Sequence, residues 1–541
     1  MSKFIRKLIY LIITAVVGFV YFYVTLPAIN LHSKDFYSFA IFLCIVYLAL
    51  TLFGKFFKNK VEVKQTFKEN LKQLWNNCRI PTLLIAILLV ISVVGGISSA
   101  EFLRAKSYSK LITVTTGDFT TDVKEISFDK IPYLDKDSAE RLGDRKIGEL
   151  ADMVSQFEVS DDYAQINYKD KPVRVTPLEY GDIIKWFNNR KNGIPAYIVI
   201  DMATQAVDFV RLSEPIKYSE SELFGRNILR HIRFNYPTFM FAEPVFELDE
   251  EGVPYWVCPK IEMKVGLFGG ADINGAVLVN AITGESTYEK EVPTWVDRVY
   301  SADLIISQYD YYGTYKNGFL NSIFGQKDVT VTTDGYNYIA LNDDVYMYTG
   351  ITSVGGDQSN IGFILSNQRT KETKFYPCAG AAERSAQSSA QGVVQHLGYK
   401  ATFPLLLNIS DQPTYFMALK DKAELVKMYA LVNVEQYQIV ATGTTVAACE
   451  KEYIRLMTEN NITVPQKPVE TNLKGTITDI RTAVIDGNST YYIKLENSEN
   501  YYYITASEDV DVVTLNIGDF VSVDYDETSK EKIIKAYNVS K

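Results

Sequence analysis

The chain has 541 residues, of which 47% are apolar and 22% charged, and this composition excludes an intrinsically disordered chain. The length predicts several domains rather than one. Residues 1–98 hold 11 Lys and Arg against 3 Asp and Glu, whereas residues 99–541 hold 44 against 62. Because phosphate binding needs clustered positive charge, the acidic remainder argues against nucleic acid as a partner.

Three uncharged apolar runs open the chain: Leu8–Leu26, Phe36–Phe53 and Ile80–Ala100. Each has roughly the 17–25 residues that a helix needs to cross the hydrocarbon core of a bilayer. The sequence therefore predicts a three-helix membrane anchor in residues 1–100, with the lipid bilayer as a partner.

The distribution of Lys and Arg predicts the orientation of this anchor. Lys3, Arg6 and Lys7 precede the first run, and seven further cations lie in the loop 55–79. Cytoplasmic segments are enriched in Lys and Arg. We therefore expect a cell-membrane protein whose N-terminus and 55–79 loop are cytoplasmic, and whose residues after about 100 are extracytoplasmic.

The basic loop also holds candidate residues for contact with the membrane surface. Lys64, Lys68 and Lys72 recur at helical spacing beside Trp75. A helix of this kind suits anionic lipid. The alternative is a plain loop that only sets the topology.

A strand, a polar turn with threonine and a second strand recur in the remainder of the chain. The copies are AYIVIDMATQAVDFV from Ala196, GAVLVNAITGESTYE from Gly275 and IGFILSNQRTKETKFY from Ile361, with a looser copy from Met428. An acidic turn and an aromatic-rich strand precede three of them, from Phe246, Val331 and Asn408, and helical stretches follow most copies. The repeated unit is therefore predicted as two β-hairpins and a helix.

These elements predict a membrane-anchored α+β chain made of repeated modules. Residues 101–160 form a connector, residues 161–245 and 246–330 form the first two α+β modules, and residues 331–460 hold a third module and the looser copy that could make a fourth.

The strand–Thr–x–Glu–strand ending, most of all in VLVNAITGESTYE, resembles that of PepSY-type domains, which are small α+β modules found outside bacterial cytoplasms. The copy from Ala196 departs from the pattern, because Ala206 stands where the glutamate should be. The resemblance implies a binding or inhibitory module rather than a catalyst. A composition rich in Lys, Asn and Ile is typical of an AT-rich bacterium.

A Pro-containing linker, residues 461–472, leads to an almost wholly β-stranded C-terminus, residues 473–541. The stretch NIGDFVSVDY from Asn516 resembles a late strand of an OB-fold, so we expect an OB-like β-barrel. OB-folds bind ligands through exposed aromatic residues. The candidate partner-binding residues are Tyr491, Tyr492, Tyr501, Tyr502 and Tyr503. The alternative is that these tyrosines only build the barrel.

Residues 471–541 hold 7 Lys and Arg against 12 Asp and Glu, which disfavours a nucleic-acid strand and favours a peptide, glycan or protein partner. The five cysteines, Cys44, Cys78, Cys258, Cys378 and Cys449, show no CxxC spacing and predict buried thiols rather than a zinc site. One long-range disulfide stays open as an alternative.

Catalytic signatures are weak. Ser389 and His396 are spaced so that one helix could carry both on one face, yet no nucleophile motif surrounds them, and His32 and His231 have no suitable neighbours. The paired glycines Gly269-Gly270 and Gly355-Gly356 match no phosphate-binding loop and predict tight bulges.

Acidic turns are the remaining candidates for chemistry, since paired carboxylates can hydrolyse glycans or hold calcium. The clusters are Asp249 with Glu250 and Glu251, Asp343 with Asp344, and Asp509 with Asp511, and the turns at Asp249, Asp334 and Asp411 are expected to match one another in the repeat. Acidic turns between strands are usually solvated, so no metal and no cofactor is expected.

The sequence favours a non-enzymatic envelope membrane protein whose extracytoplasmic body binds a protein, a peptide or a cell-wall component. One alternative is an envelope hydrolase that acts on glycan or peptide through the acidic turns. Another alternative is an accessory subunit of a membrane complex.

Overall fold

The structure is a computed structural model that describes residues 3–59, 67–125, 131–341, 343–354, 359–462, 471–485, 488–507, 509–525 and 532–540. For residues 3, 54–59, 67–77 and 471 it describes the backbone alone. The helices are α1 (Lys3–Thr25), α2 (Lys34–Asn59), α3 (Phe67–Ser98), α4 (Glu101–Tyr108), α5 (Phe119–Asp122), α6 (Lys136–Gly148), α7 (Ile183–Asn189), α8 (Ile228–Asn235), α9 (Ala302–Tyr315), α10 (Glu383–Val393) and α11 (Val446–Glu459).

The first sixteen strands are β1 (Val114–Thr116), β2 (Phe157–Val159), β3 (Ala164–Tyr168), β4 (Lys171–Tyr180), β5 (Ile194–Asp201), β6 (Val207–Ile216), β7 (Met240–Phe241), β8 (Val245–Leu248), β9 (Pro254–Val265), β10 (Gly269–Asn280), β11 (Ser286–Glu289), β12 (Thr330–Thr332), β13 (Asn337–Leu341), β14 (Asp344–Ser353), β15 (Ser359–Asn367) and β16 (Thr373–Ala381). The others are β17 (Lys400–Ala401), β18 (Leu405–Ile409), β19 (Gln412–Lys420), β20 (Val426–Asn433), β21 (Val440–Gly443), β22 (Thr471–Ile485), β23 (Asn488–Leu495), β24 (Tyr501–Thr505), β25 (Phe520–Tyr525) and β26 (Ile533–Ser540).

The prediction of three membrane-spanning helices is confirmed. The segments Phe4–Thr25, Lys34–Phe53 and Cys78–Ser98 are long and apolar enough to cross a bilayer, so this is a mixed α+β membrane protein. Helix α3 begins at Phe67, well before the apolar run that starts at Ile80. The side chains of Lys64, Lys68, Lys72 and Trp75 lie outside the described part of the chain.

Within the described residues, four sheets share one strand order. In each sheet a short strand and the first strand of a hairpin both pair with the same long strand, and two further strands follow in antiparallel order. The orders are β2-β4-β5-β6 with β3 on β4, β7-β9-β10-β11 with β8 on β9, β12-β14-β15-β16 with β13 on β14, and β17-β19-β20-β21 with β18 on β19. In the third sheet β1 also pairs in parallel with β16.

The repeated threonines have the same role in three of these sheets. At the turn after β5, β10 and β15, an Asp or Asn side chain accepts hydrogen bonds from the backbone N–H groups two and three residues later, and a Thr hydroxyl accepts one from the N–H two residues later. The Asp or Asn and Thr of these turns are Asp201 and Thr204, Asn280 and Thr283, and Asn367 and Thr370. The recurring motif is therefore a self-capped turn.

The chain forms two compact units, the first with the three long helices, the first two sheets and most of the third, and the second with the fourth sheet and the C-terminal strands. In the first unit, the first two sheets share one apolar core, in which the rings of Phe246 and Trp256 meet edge to face at 5.4 Å. In the second unit, the Tyr453 hydroxyl of α11 lies 2.8 Å from the Thr414 hydroxyl of β19 and accepts from Asn433.

The last five strands close into a barrel in the order β22-β23-β24-β26-β25. Strands β24 and β26 pair in parallel, and the other neighbours pair antiparallel. Ile493, Tyr502, Ile504 and Val523 point inward and fill the barrel core. The alternation of apolar and polar residues along β23 and β24 decides which side chains face solvent.

The spans are joined to the body by two sets of contacts within the first unit. On α8, Arg233 donates from Nε to the Leu26 carbonyl at 2.9 Å, and Arg230 donates to the Tyr23 carbonyl at 3.3 Å. At the tip of the β9–β10 hairpin, the Phe268 N–H donates to Ser99 Oγ at 2.9 Å. The body is thus held directly against the ends of the spans.

Small residues allow this approach of the hairpin tip to α3. A Cβ added at Gly95 would lie 2.6 Å from side-chain atoms of both Leu267 and Phe268. Gly266 has φ +63°, and a Cβ there would meet the Ser98 carbonyl oxygen at 2.6 Å. The predicted bulge is not at Gly269-Gly270, which open β10, but further along this strand, between Ile273 and Ala276; Gly355-Gly356 lie outside the described residues.

Candidate functional site

The outer face of β22, β23 and β24 carries a cluster of half-exposed tyrosines. Tyr492 on β23 pairs directly with Tyr503 on β24, and their ring centroids are 5.9 Å apart. Tyr501 lies two residues before Tyr503 on the same face. We call Tyr492, Tyr501 and Tyr503 together the tyrosine face.

Charged side chains surround Tyr501 on this face. Its hydroxyl donates to Asp479 Oδ2 at 2.7 Å, and Arg481 donates from Nε to the same oxygen at 2.9 Å. The two hydrogen bonds lower the pKa of the Asp479 carboxyl, the larger contribution coming from Tyr501. The Arg481 guanidinium and the Lys494 ammonium lie 5.3 Å and 5.7 Å from the Tyr501 ring. The arrangement offers flat apolar rings beside a paired carboxylate and two cations.

The structure divides the five candidate tyrosines into two groups. Tyr502 is 2% exposed and lies in the barrel core, and Tyr491 packs against that core. Tyr492, Tyr501 and Tyr503 face outward instead. Sequence reasoning missed Asp479, Arg481 and Lys494, although strand alternation would have found them, because each lies an even number of residues from an outward-facing position on its own strand.

In two of the acidic turns, an aspartate side chain accepts hydrogen bonds from backbone N–H groups of the same turn. Asp249 Oδ1 accepts from the N–H groups of Glu251 and Val253, and Asp509 accepts from the N–H of Asp511. Asp411 has φ 58°, in the left-handed region that Asp and Asn tolerate best. The carboxylates of Asp249 and Asp509 therefore stabilise their own loops.

The predicted match of Asp334 with Asp249 and Asp411 is wrong. The β13–β14 turn, which corresponds to theirs, contains Asp343 with φ 66°, whereas Asp334 lies before β13. In the second and fourth sheets the aromatic-rich strand follows the acidic turn. In the third sheet the aromatic-rich strand is β13, which precedes the turn. Asp344, the next residue, forms a bidentate pair with Arg369, with both N–O distances 2.7 Å.

A buried carboxylate pair joins the first two sheets. Glu247 on β8 accepts from the backbone N–H groups of Asp297 and Arg298 at 2.8 and 2.9 Å, and Asp297 Oδ2 accepts from the Asn167 N–H at 2.6 Å. Burial raises the pKa of Glu247 to about 8, although the hydrogen bonds from the backbone N–H groups of Asp297 and Arg298 lower this pKa. Burial, and then the charge of Glu247, raise the pKa of Asp297.

This pair was not identified from the sequence, because its two members are separated by fifty residues and no motif marks them. Glu247 and Asp297 are 0% and 1% exposed. A carboxylate closed off from solvent cannot reach an external polysaccharide or peptide. The pair therefore acts as a joint between sheets, with Asp297 Oδ1 left without a hydrogen-bond partner.

The histidines and Ser389 belong to different elements of the chain. Ser389 is on α10, which ends at Val393, whereas His396 lies on a separate 3-10 turn, so the expected shared helical face is not formed. His231 Nε2 lies 2.8 Å from the Gly284 carbonyl oxygen, and burial lowers the pKa of this histidine. His32 Nδ1 lies 2.8 Å from the Leu267 carbonyl oxygen and supports the joint between spans and body.

Cys258, Cys378 and Cys449 are buried free thiols, as the sequence predicted. Among the residues that the structure describes, no group of three or more His, Cys, Asp and Glu side chains is arranged to hold a metal ion.

No protein-family model and no characterised protein matches the chain. Among solved structures, an exo-β-1,3-galactanase from Phanerochaete chrysosporium with bound β-1,3-galactotriose is aligned at 10% identity over 64% of this chain and 82% of the other, with a TM-score of 0.17. A similarity this low supports neither a shared fold nor a shared activity. The findings therefore identify a mixed α+β membrane protein with three spanning helices and assign it to no family.

Proposed function

We propose that this chain is a non-enzymatic envelope membrane protein whose body lies outside the cytoplasm and binds a protein, a peptide or a cell-wall component. The observation that carries the proposal is the tyrosine face. Flat aromatic rings beside hydrogen-bonding and charged groups are typical of surfaces that bind peptides and sugars.

The barrel supports this assignment through its topology. We propose that it is an OB-fold, since it is five-stranded, closed and built from a β-meander followed by two strands that pair with each other. In OB-folds the surface of the second and third strands is the usual ligand-binding face. Here those strands are β23 and β24, which carry all three residues of the tyrosine face.

The proposed orientation rests on the cations before and between the spans, which favour a cytoplasmic N-terminus. The body follows the third span and contacts the ends Thr25 and Ser98 of α1 and α3. A relation of the four repeated modules to PepSY-type domains is part of the same proposal, with binding rather than catalysis as their role.

A crosslinking pull-down from detergent-solubilised membranes tests the proposal. The full chain is compared with the double variant Tyr492→Ser/Tyr503→Ser and with Phe520→Ser as the matched control. Phe520 is 62% exposed and lies on β25, which pairs with neither β23 nor β24. We expect the native chain and Phe520→Ser to retain a partner that the double variant loses.

A partner retained equally by all three samples would move recognition away from the tyrosine face. No partner in any sample would contradict the binding proposal. The same preparations, incubated with cell-wall glycan and peptide, test the hydrolase alternative, because cleavage would favour it. A partner that co-purifies through residues 1–100 alone would favour the accessory-subunit alternative.

A further inference from the structure

An exposed apolar cluster, here named the α7 patch, lies on the first unit. It consists of Ile183, Ile184, Phe187 and Phe224, with exposed fractions of 69%, 69%, 60% and 62%. The first three occupy one face of α7, and Phe224 reaches them through Trp186, whose ring is 5.9 Å from that of Phe224. Four large apolar side chains exposed side by side mark an interaction surface.

The α7 patch is tied to the end of the first span. Arg230 donates from Nη1 to the Phe224 carbonyl at 3.0 Å and from Nε to the Tyr23 carbonyl at 3.3 Å. One guanidinium therefore bridges the patch and the last turns of α1. Beside it, the Phe234 ring of α8 meets the rings of Phe22 and Tyr23 at 5.4 and 6.0 Å, although Phe234 belongs to the body.

A second cluster, the α4 patch, lies at the end of the third span. Its members Phe102, Leu103, Leu320, Ile323 and Phe324 have exposed fractions between 51% and 82%. Phe102 and Leu103 come within a few residues of the end of α3 at Ser98. The Phe102 ring lies 6.3 Å from Phe319, the residue before Leu320, and the Tyr315 hydroxyl donates to Glu101 at 2.5 Å.

We propose that the body lies on the lipid surface and that both patches enter the interfacial region of the bilayer. Each patch is continuous with the end of a different span, α1 or α3, and both ends lie on the body side of the membrane. Lipid always surrounds membrane-spanning helices at the depth where they end. Apolar side chains that adjoin it are buried by insertion into the interface.

Cations next to the α7 patch fit this partner. The Arg190 guanidinium lies 4.4 Å from the Phe187 ring, and Arg226 donates to the Arg190 carbonyl at 2.7 Å. Lys185 lies on the same helix and pairs with Asp182 at its start, 3.5 Å away. Aromatic and aliphatic residues flanked by Arg and Lys are typical of segments that rest among anionic headgroups. The proposal concerns the seating of the body and is independent of the tyrosine face.

Depth-dependent fluorescence of the full chain in nanodiscs tests this proposal. Ile184→Trp and Phe324→Trp report on the two patches, and Ala206→Trp is the matched control. Ala206 is exposed and precedes β6, whose ten residues place it about 30 Å from the α7 end of the first sheet. Fluorescence is measured relative to the unsubstituted chain, in phosphatidylcholine and phosphatidylglycerol with and without brominated acyl chains.

We expect brominated lipid to quench the tryptophans at positions 184 and 324 at least twofold more than the one at 206, and aqueous acrylamide to show the opposite order. Equal quenching at all three positions would overturn the proposal. Tryptophans at 184 and 324 that are open to acrylamide and insensitive to brominated lipid would also overturn it and would favour a protein partner. Phe187→Trp and Leu320→Trp repeat the measurement if either first variant fails to fold.

Discussion

Arg233 of α8 and the carbonyl oxygen of Leu26 meet at 2.9 Å across 207 positions of the chain. Leu26 has φ 49°, a left-handed conformation that a branched side chain adopts only under tertiary constraint. The same guanidinium donates to the Phe239 carbonyl at 2.5 Å, and burial lowers the pKa of Arg233 to about 10. The body and the first span are therefore held by a buried cation that satisfies carbonyl groups on both.

Removal of this cation should loosen the joint. Arg233→Ala leaves the Leu26 and Phe239 carbonyls without their donor, and we expect a loss of about 2–4 kcal/mol of stability in that region. Hydrogen exchange of the full chain in nanodiscs should then accelerate in α8 and in residues 26–30. Arg211→Ala is the control, because its ion pair with Asp152 is exposed and contributes at most about 1 kcal/mol. Equal acceleration in both variants would contradict this role.

Gly95 and Gly96 provide a matched pair at the other joint. Gly95→Ala places a Cβ within 2.6 Å of Leu267 and Phe268, whereas a Cβ at Gly96 meets nothing within 4 Å. We expect Gly95→Ala to lower the apparent Tm and to expose the hairpin tip to protease, since the tip is packed on both sides. Gly96→Ala should be neutral or slightly stabilising, because alanine favours the helix. If both variants behave alike, the close approach does not contribute to stability.

The buried carboxylates predict a pH dependence of stability. The pKa of Glu247 is raised to about 8 and that of Asp297 is raised as well, so the folded state holds protons that the unfolded state releases near pH 4. Their contribution to stability is complete below about pH 4 and is lost as the pH rises through about 8.

In Asp297→Asn, the amide oxygen can still accept the hydrogen bond from the Asn167 N–H. The uncharged amide NH₂ takes the place of the unpartnered oxygen Oδ1, so this side chain no longer titrates. We therefore expect a smaller fall in apparent Tm between pH 5 and pH 8 than in the native chain. Asp152→Asn, at an exposed ion pair, should leave that slope unchanged. A slope that is the same in all three proteins would show that Asp297 is ionised throughout.

The repeated turns allow a comparison of equivalent residues. Asn280 and Asn367 cap the same turn in two sheets, but Asn367 is 3% exposed and also donates to Asp344 at 2.8 Å. We expect Asn280→Ala to cost about 1 kcal/mol and Asn367→Ala about 2–3 kcal/mol, because the second change also leaves a buried carboxylate under-satisfied. Denaturant unfolding of the two variants in the same detergent gives the comparison. A cost at Asn280 equal to that at Asn367 would contradict it.

The features that the sequence predicted well are those set by local physical chemistry. A run of about twenty apolar residues suffices for a span, because the thickness of the bilayer is the requirement. The threonine turns and the alternation of strands were visible for the same reason. Helical stretches were expected after most copies of the repeat, and α9, α10 and α11 each follow one of them.

The remaining features depend on contacts between distant residues. Only tertiary structure decided that Asp343 rather than Asp334 occupies the repeated turn, that α10 ends before His396, and that Glu247 and Asp297 form a buried pair.

The sequence by itself therefore determined the three apolar helices, the α+β class and the recurring threonine turns, because periodicity and length are properties of contiguous residues. The tertiary structure decided how Arg233 joins the body to Leu26 and which apolar side chains stay exposed beside the spans. These depend on close packing between segments up to 207 residues apart, and no local pattern encodes them.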